Sequence, residues 1–167
     1  MQIRAATNAD CAAVQALIFQ VLEEYGLRPD ATGMDKDLST LEQSYHQQQG
    51  YFGVVEDASG RIVATLGLQK VDAQSCELRK MYALPQARGQ GLGHALMRFA
   101  LFHAQRLGYT RVILETVTPL VEARALYARY GFSSYAPDEI SWRCDQAMQR
   151  ELGSIPADWE RWRLGRE

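Results

Sequence analysis

The chain has 167 residues, enough for one domain with a full core, and its 47% hydrophobic and 23% charged content is ordinary for a globular protein. The formal net charge of −2, with both signs scattered along the sequence, excludes an overall basic field that would attract nucleic acid. No apolar stretch suits a bilayer span or a signal peptide, so we expect a cytoplasmic protein that binds neither nucleic acid nor membrane.

The cysteines and histidines indicate neither disulfides nor a metal site. The three cysteines, Cys11, Cys76 and Cys144, are far apart and lack metal-ligand spacing. We expect each to be a small core side chain with a free thiol.

The first fifty residues predict an edge strand followed by two helices. Residues 2–5 fit the strand, and Thr7 is placed to cap the helix that follows. Apolar side chains then recur at helical spacing until Gly26 ends the run. After a loop at residues 26–34, residues 35–49 predict a second, less buried helix.

The next segment predicts a meander in which strands alternate with polar turns. Its strands are predicted at residues 51–56, 61–70 and 76–84. Gly67 inside the second strand indicates a bulge. Pro85 has no N–H to give to a strand ladder, so the third strand ends before it.

A glycine-rich loop at residues 88–93 leads into a long amphipathic helix. A helix that begins on glycines offers unpaired N–H groups and the positive end of its dipole. Because glycine has no Cβ atom, an anion can approach the backbone itself. Arg88 adds a guanidinium suited to phosphate, so the loop predicts a phosphate or pyrophosphate site.

The rest of the chain predicts one more buried strand, a short helix and two final strands. Residues 110–117 are apolar and β-rich, which favours a strand covered on both faces. The intervening helix implies that this strand runs parallel to the strand at residues 76–84. A helix follows at residues 120–130. The last strands are predicted at residues 132–136 and 140–147. A tail with one or two further helical turns carries Trp159 and Trp162, which we expect to pack on the body, with a second subunit as the alternative.

Three kinds of phosphate-binding loop contain such glycines. A P-loop needs Lys directly after its last glycine, but this chain has His94 there. A dinucleotide fingerprint that starts at Gly89 needs a small residue at position 94, so His94 argues against that motif as well. The remaining pattern is Arg/Gln-x-x-Gly-x-Gly/Ala, which Arg88, Gly91 and Gly93 satisfy.

This pattern resembles the acetyl-CoA signature of the GNAT superfamily of N-acetyltransferases. Its context agrees, because a strand ending in Leu-Pro precedes the loop and Ala-Leu-Tyr-Ala-Arg-Tyr-Gly-Phe follows at residues 125–132. The likeness covers most of residues 2–147. It implies an α/β (α+β) fold in a single domain over residues 1–167, with a mostly antiparallel twisted sheet of six to seven strands, flanking helices and a splayed parallel strand pair at its centre.

The resemblance also implies how acetyl-CoA is held as cosubstrate, without a metal. The backbones of Met81 and Ala83 would hydrogen-bond the pantetheine arm between the splayed strands, with Tyr82 between them. The pyrophosphate would lie on the loop residues, which are Arg88, Gly89, Gln90, Gly91, Leu92, Gly93 and His94.

Two residues are the catalytic candidates. The GNAT pattern places a Tyr hydroxyl near the coenzyme sulfur at Tyr127, and a phenol with a pKa of about 10 is protonated at neutral pH and can donate. The alternative is a core aromatic. Glu77 stands where some histone-type GNAT enzymes carry a catalytic Glu, and the alternative is a surface residue paired with Arg79 or Lys80.

The acceptor side is less well defined by the sequence. By likeness, Tyr25, Arg28, Asp35 and Tyr45 would border the acceptor, and a solvated loop or core edge is the other interpretation for these positions. Glu115 is a weaker rival to Glu77 as the base. Many GNAT sequences have Asn seven residues before the Tyr, where this chain has Leu120.

These observations predict an enzyme that acetylates a primary amine of a small molecule or a peptide N-terminus by direct attack in a ternary complex. A sensor domain that binds acyl-CoA without turnover is the alternative, and an enzyme for another phosphate-bearing cofactor such as a nucleotide is a weaker one. The resemblance is compatible with a homodimer.

Overall fold

The computed structural model describes residues 1–156 and 159, and its centre is one seven-stranded sheet. The strands are β1 (Gln2–Ala5), β2 (Tyr51–Glu56), β3 (Ile62–Lys70), β4 (Ser75–Ala83), β5 (Arg111–Thr116), β6 (Ser133–Tyr135) and β7 (Gln146–Glu151). Their order across the sheet is β1-β2-β3-β4-β5-β7-β6. Of the pairs in the described chain, only β4 and β5 run parallel. The predicted mixed fold, mostly antiparallel with a parallel pair at its centre, is confirmed.

The helices flank this sheet and cover its apolar surface. The α-helices of the described residues are α1 (Cys11–Glu24), α2 (Leu41–Ser44), α3 (Leu92–Arg106) and α4 (Val121–Arg129). Both α1 and α3 pack against β3 and β4. The backbone N–H of Thr7 donates to the Asp10 carboxylate at 2.8 Å at the start of α1, and Gly26 follows its end with a left-handed φ of 69°.

Most predicted strands form with ends that differ by at most one residue, but the last is wrong. It was expected at residues 140–147 and lies at Gln146–Glu151. Residues 140–145 form a loop instead, because Arg143 leaves the sheet and binds Asp35. In the tail, Trp159 packs on the body against Tyr130, with 5.8 Å between ring centroids, and Trp162 lies outside the described residues.

The predicted second helix at residues 35–49 is also wrong. The segment folds as single turns, with 3-10 helices at Lys36–Ser39 and His46–Gln48 on either side of α2. It is also more buried than predicted. Asp35 and Tyr45 are 0% exposed, because their polar groups find partners inside the protein.

A β-bulge interrupts β4 where it faces the predicted irregularity at Gly67. The register with β3 shifts between Thr65 and Gly67, so two residues of β4, Lys80 and Met81, lie opposite one residue of β3. Lys80 has a left-handed φ of 56°, which is unusual for a residue with a side chain. The Thr65 hydroxyl donates to the Lys80 carbonyl at 2.7 Å and stabilises this conformation.

Buried charges connect the bulge to two loops that are distant in sequence. The Asp35 carboxylate binds the Lys80 ammonium and accepts two hydrogen bonds from Arg143, at 2.8 and 2.9 Å. The Lys80 ammonium also lies 3.6 Å from Asp37, which accepts a hydrogen bond from the Tyr45 hydroxyl. We call Asp35, Asp37, Lys80 and Arg143 the Asp35 cluster. Burial opposes ionisation of Asp35, but the hydrogen bonds from Arg143 and Lys80 outweigh it and hold the pKa of Asp35 well below its usual range.

We predict that Asp35→Asn lowers the free energy of unfolding by about 3–5 kcal/mol, because it removes the buried carboxylate that both Lys80 and Arg143 bind. Urea denaturation at neutral pH measures the change. Because the folded pKa of Asp35 lies below its unfolded value of about 3.9, the stabilisation is present at neutral pH and is lost as the pH falls below about 4. The matched control is Asp138→Asn in an exposed loop, which should leave the free energy of unfolding nearly unchanged. Equal losses for both variants would contradict the stabilising role of the cluster.

Candidate functional site

A cavity of about 610 Å³ reaches from the start of α3 to the facing ends of β4 and β5. We call it the large cavity. It brings together most of the residues that the sequence indicated. Those in its wall are Tyr25, Met81, Tyr82, Ala83, Arg88, Gly89, Gly91, Leu92, Gly93, His94, Glu115 and Tyr127.

The glycine-rich loop presents free backbone donors to this cavity. The N–H groups of residues 89–94 donate to no acceptor within the described chain, and the first bond of α3 is from Ala95 to the Gly91 carbonyl at 3.1 Å. Gly89 and Gly91 have left-handed φ values of 77° and 78°. A Cβ atom on either would meet nothing within 4 Å, so the space in front of the loop is open. Free amides at the positive end of a long helix form a site for an anion.

Arg88 already has partners within the protein. Its guanidinium makes two hydrogen bonds to the Glu24 carboxylate, at 2.6 and 2.9 Å, and its Nε donates to the Ala83 carbonyl at 2.9 Å. These bonds connect α1, the end of β4 and the glycine-rich loop. A carboxylate offers the same two-oxygen geometry as a phosphate, so Glu24 occupies the donors that a ligand would use. The assignment of Arg88 to a phosphate stays a prediction, and its observed contacts indicate a role in holding the loop.

The parallel pair separates beside the cavity. β4 and β5 are paired at three positions, of which the last joins Glu77 to Ile113. Beyond this point β4 continues to Ala83 without pairing to β5, and the bulge at Lys80 bends it. The sheet therefore contains a gap with an unpaired edge of β4, and the binding of a coenzyme arm to Met81 and Ala83 at this edge stays a prediction.

Tyr127 lies on α4 and faces the same cavity. Its side chain is 7% exposed, and its hydroxyl forms no hydrogen bond within the part of the chain that the structure describes. Burial raises the pKa of Tyr127 well above its usual value, and the nearby Tyr82 and Cys144 add to the effect. The phenol is therefore a protonated donor. The ring also packs against Phe132, with 6.0 Å between centroids, so Tyr127 belongs to the core as well.

Glu77 lines a second space of about 60 Å³, which we call the small cavity. The two cavities share wall residues at the gap, among them Glu115 and Thr116. Burial raises the pKa of Glu77, with Arg79 opposing the shift and Glu115 adding to it. Arg79 Nη1 lies 3.8 Å from the Glu77 carboxylate, so the alternative ion pair exists only as a long contact.

Four predicted residues line neither cavity. Two of them, Asp35 and Tyr45, are fully buried in the protein. Gln90 is exposed and lines neither wall. Arg28 is exposed, and its guanidinium stacks 5.0 Å from the ring of Trp142. Sequence reasoning missed Thr116 and Arg143. Thr116 was detectable as the neighbour of Glu115 at a strand end, whereas nothing in the local sequence pairs Arg143 with a residue 108 positions away.

The described residues contain no cluster of three or more His, Cys, Asp or Glu side chains able to hold a metal ion. Among the helices of this part of the chain, none combines the length and apolar character needed to cross a bilayer.

Comparisons with known proteins agree with this geometry. The family profile of the acetyltransferase (GNAT) family matches residues 17–132. The chain is 39% identical over 135 residues to the uncharacterized N-acetyltransferase YjgM of Escherichia coli K12, across 78% of this chain and 80% of that protein. An acetyltransferase of the GNAT family from Staphylococcus aureus Mu50 has a TM-score of 0.84 at 20% identity, over 90% of this chain and 98% of that one. The structure of yncA from Salmonella typhimurium with its cofactor acetyl-CoA has a TM-score of 0.72 at 21% identity, over 94% of this chain and 96% of that one.

We predict that Gly91→Asp weakens acetyl-CoA binding by at least about tenfold, because it puts a carboxylate where the free amides attract an anion. Isothermal titration calorimetry measures the dissociation constant. Gly108→Asp is the matched control, since Gly108 follows the other end of α3 with a left-handed φ of 92° and also has open space around it. Equal weakening by both variants would show that the loss comes from general backbone strain.

Proposed function

The chain belongs to the acetyltransferase (GNAT) family, and on this premise we propose that it transfers the acetyl group of acetyl-CoA to a primary amine of a small molecule or a peptide N-terminus. The amine attacks directly within a ternary complex. One observation carries the proposal: a single cavity contains the free amides at the start of α3, the gap between β4 and β5, and Tyr127.

Coenzyme binding follows from the donors in the large cavity. The amides of residues 89–94 hold the pyrophosphate through hydrogen bonds that strengthen in the field of the helix dipole. The unpaired edge of β4 at Met81 and Ala83 offers backbone groups to the amides of the pantetheine arm. Both contacts direct the thioester into the gap and toward Tyr127.

Acetyl transfer also needs two proton movements. An alkyl ammonium has a pKa of about 10 and is not a nucleophile until it loses a proton. Glu77 accepts this first proton through water, since burial raises the pKa of its carboxyl group, and passes it to solvent. As the C–N bond forms and the C–S bond breaks, Tyr127 delivers its proton to the sulfur, and the second proton of the nitrogen passes through water to the tyrosinate and restores the phenol. The products are the amide and free CoA.

A thiol-release assay across a panel of primary amines, combined with calorimetry for acetyl-CoA, tests this function. The proposal requires acetyl-CoA binding and release of free CoA that depends on an amine. Binding without release above the hydrolytic background would instead identify a sensor domain, and failure to bind would exclude both.

We predict that Tyr127→Phe lowers kcat by about 10- to 1,000-fold and changes the affinity for acetyl-CoA by less than about threefold, because the ring remains and only the proton donor is lost. Steady-state kinetics and calorimetry measure the two quantities. Tyr109→Phe is the matched control: its hydroxyl donates to the Gln49 carbonyl at 2.7 Å, and it lines neither cavity. An unchanged kcat in Tyr127→Phe would remove Tyr127 as the acid.

A further inference from the structure

The charged side chains that line the small cavity indicate the charge of its ligand. Two carboxylates, Glu77 and Glu115, line it together with three cations, Arg79, Lys80 and Arg143. The cations have other partners. Lys80 and Arg143 are 3% and 5% exposed at the side chain and bind Asp35, which lies behind the wall.

Arg79 is shared between several acceptors. Its terminal nitrogens donate to the Gln69 side chain at 2.6 Å and to the Met34 carbonyl at 3.2 Å. It lies 3.8 Å from Glu77 and equally far from Asp37. With Asp35 and Asp37 included, the groups in and behind the wall comprise four carboxylates and three cations, so one negative charge is in excess.

The excess is located at Glu115. Its carboxylate accepts a hydrogen bond from the Ser141 backbone N–H at 3.1 Å and has no cation within ion-pair distance among the described residues. Burial raises the pKa of the neighbouring Cys144 to about 12, with Glu115 adding to the shift, so the thiol is neutral and supplies no counter-charge. A cationic group from outside the protein would therefore be attracted to Glu115.

A second feature of this cavity also indicates a missing partner. The Thr116 side chain is 3% exposed, and its hydroxyl has no hydrogen-bond partner, although the residue lines both cavities. Buried hydroxyl groups are normally satisfied, because an unmade hydrogen bond costs desolvation free energy. A ligand nitrogen in the gap would provide the partner.

The two carboxylates are spaced along one face of the sheet. Glu77 pairs with Ile113, and Glu115 lies two residues further along β5 on the same face. Two residues of strand rise, about 6.6 Å, combine with one strand spacing of about 4.8 Å, so the Cα atoms of Glu77 and Glu115 are about 8 Å apart, a separation that an extended diamine of about four to six carbons spans.

We propose that the small cavity is the acceptor site and that its acceptor is a diamine-type cation, with the reactive nitrogen between Glu77 and Thr116 and a second ammonium at Glu115. This inference rests on the proposed acetyl transfer. It names the substrate class: a primary amine with a second cationic group about four to six carbons away, in preference to an amino acid, whose carboxylate Glu115 would repel.

The test compares three amines of equal chain length that differ only at the far end: 1,4-diaminobutane, n-butylamine and 4-aminobutanoate. Calorimetry with the CoA-saturated protein should show at least about tenfold tighter binding of the diamine than of butylamine, and the weakest binding for the amino acid. Glu115→Gln should bring the diamine and butylamine within about threefold of each other, because glutamine keeps the acceptor for Ser141 but loses the charge.

Glu23→Gln on the exposed face of α1 is the matched control and should keep the full diamine preference. Equal binding of the three amines, or an unchanged preference in Glu115→Gln, would overturn the inference. Thiol release from the same amines is scored separately. A diamine preference in binding without release of CoA would refute acetyl transfer and support the cation site. Release of CoA without a diamine preference would support acetyl transfer and refute the cation site.

Thr116→Val tests the second feature independently. Valine has the same shape, and no internal hydrogen bond is lost, so the midpoint of urea unfolding should stay the same or rise. Binding of both 1,4-diaminobutane and n-butylamine should weaken about three- to tenfold, because both present a nitrogen to the hydroxyl. Unchanged amine binding, or a loss of stability that shows the hydroxyl to be a structural partner, would refute this role.

Discussion

The gap between β4 and β5 depends on a buried ion cluster that is placed beside it. A parallel strand pair ordinarily continues its ladder, and here the ladder stops after the pairing of Glu77 with Ile113. The left-handed conformation of Lys80 produces the bulge that bends β4 away, and the Asp35 carboxylate holds the Lys80 ammonium. Charge interactions of this kind are costly to bury and gain their stability from complete pairing. In this protein they hold the sheet open at the place where a ligand has to enter.

The two ends of the site have opposite electrostatic character. At the start of α3, free backbone amides and the helix dipole attract an anion. Across the gap, Glu77 and Glu115 make the small cavity negative, while the cations of its wall are occupied by aspartates. A polyphosphate cosubstrate and a cationic amine would thus approach from different sides. Under the proposed function they would meet beside Thr116, which lines both cavities, and Tyr127, which lines the large cavity.

Local sequence patterns predicted the parts of the site that local chemistry determines. The glycines of residues 89–93, the helix after them and the parallel strand at β5 follow from short-range rules of backbone conformation and periodicity. The partners of the charged residues do not. Glu24 binds Arg88 from 64 positions away, and Arg143 reaches Asp35 across 108. The pair of Asp35 and Arg143 also explains the two wrong elements. Residues 35–49 fold as single turns that bury Asp35, and the last strand begins only at Gln146 because Arg143 binds Asp35 outside the sheet.

The proposed acetyl transfer depends most on one contact, in which the amides of residues 89–94 would bind a diphosphate and direct a thioester to Tyr127. A crystal structure of the protein with acetyl-CoA tests this most directly. It should show the pyrophosphate oxygens within hydrogen-bond distance of those amides and the sulfur beside the Tyr127 hydroxyl. A coenzyme bound elsewhere, or a sulfur separated from the phenol by intervening side chains, would contradict it.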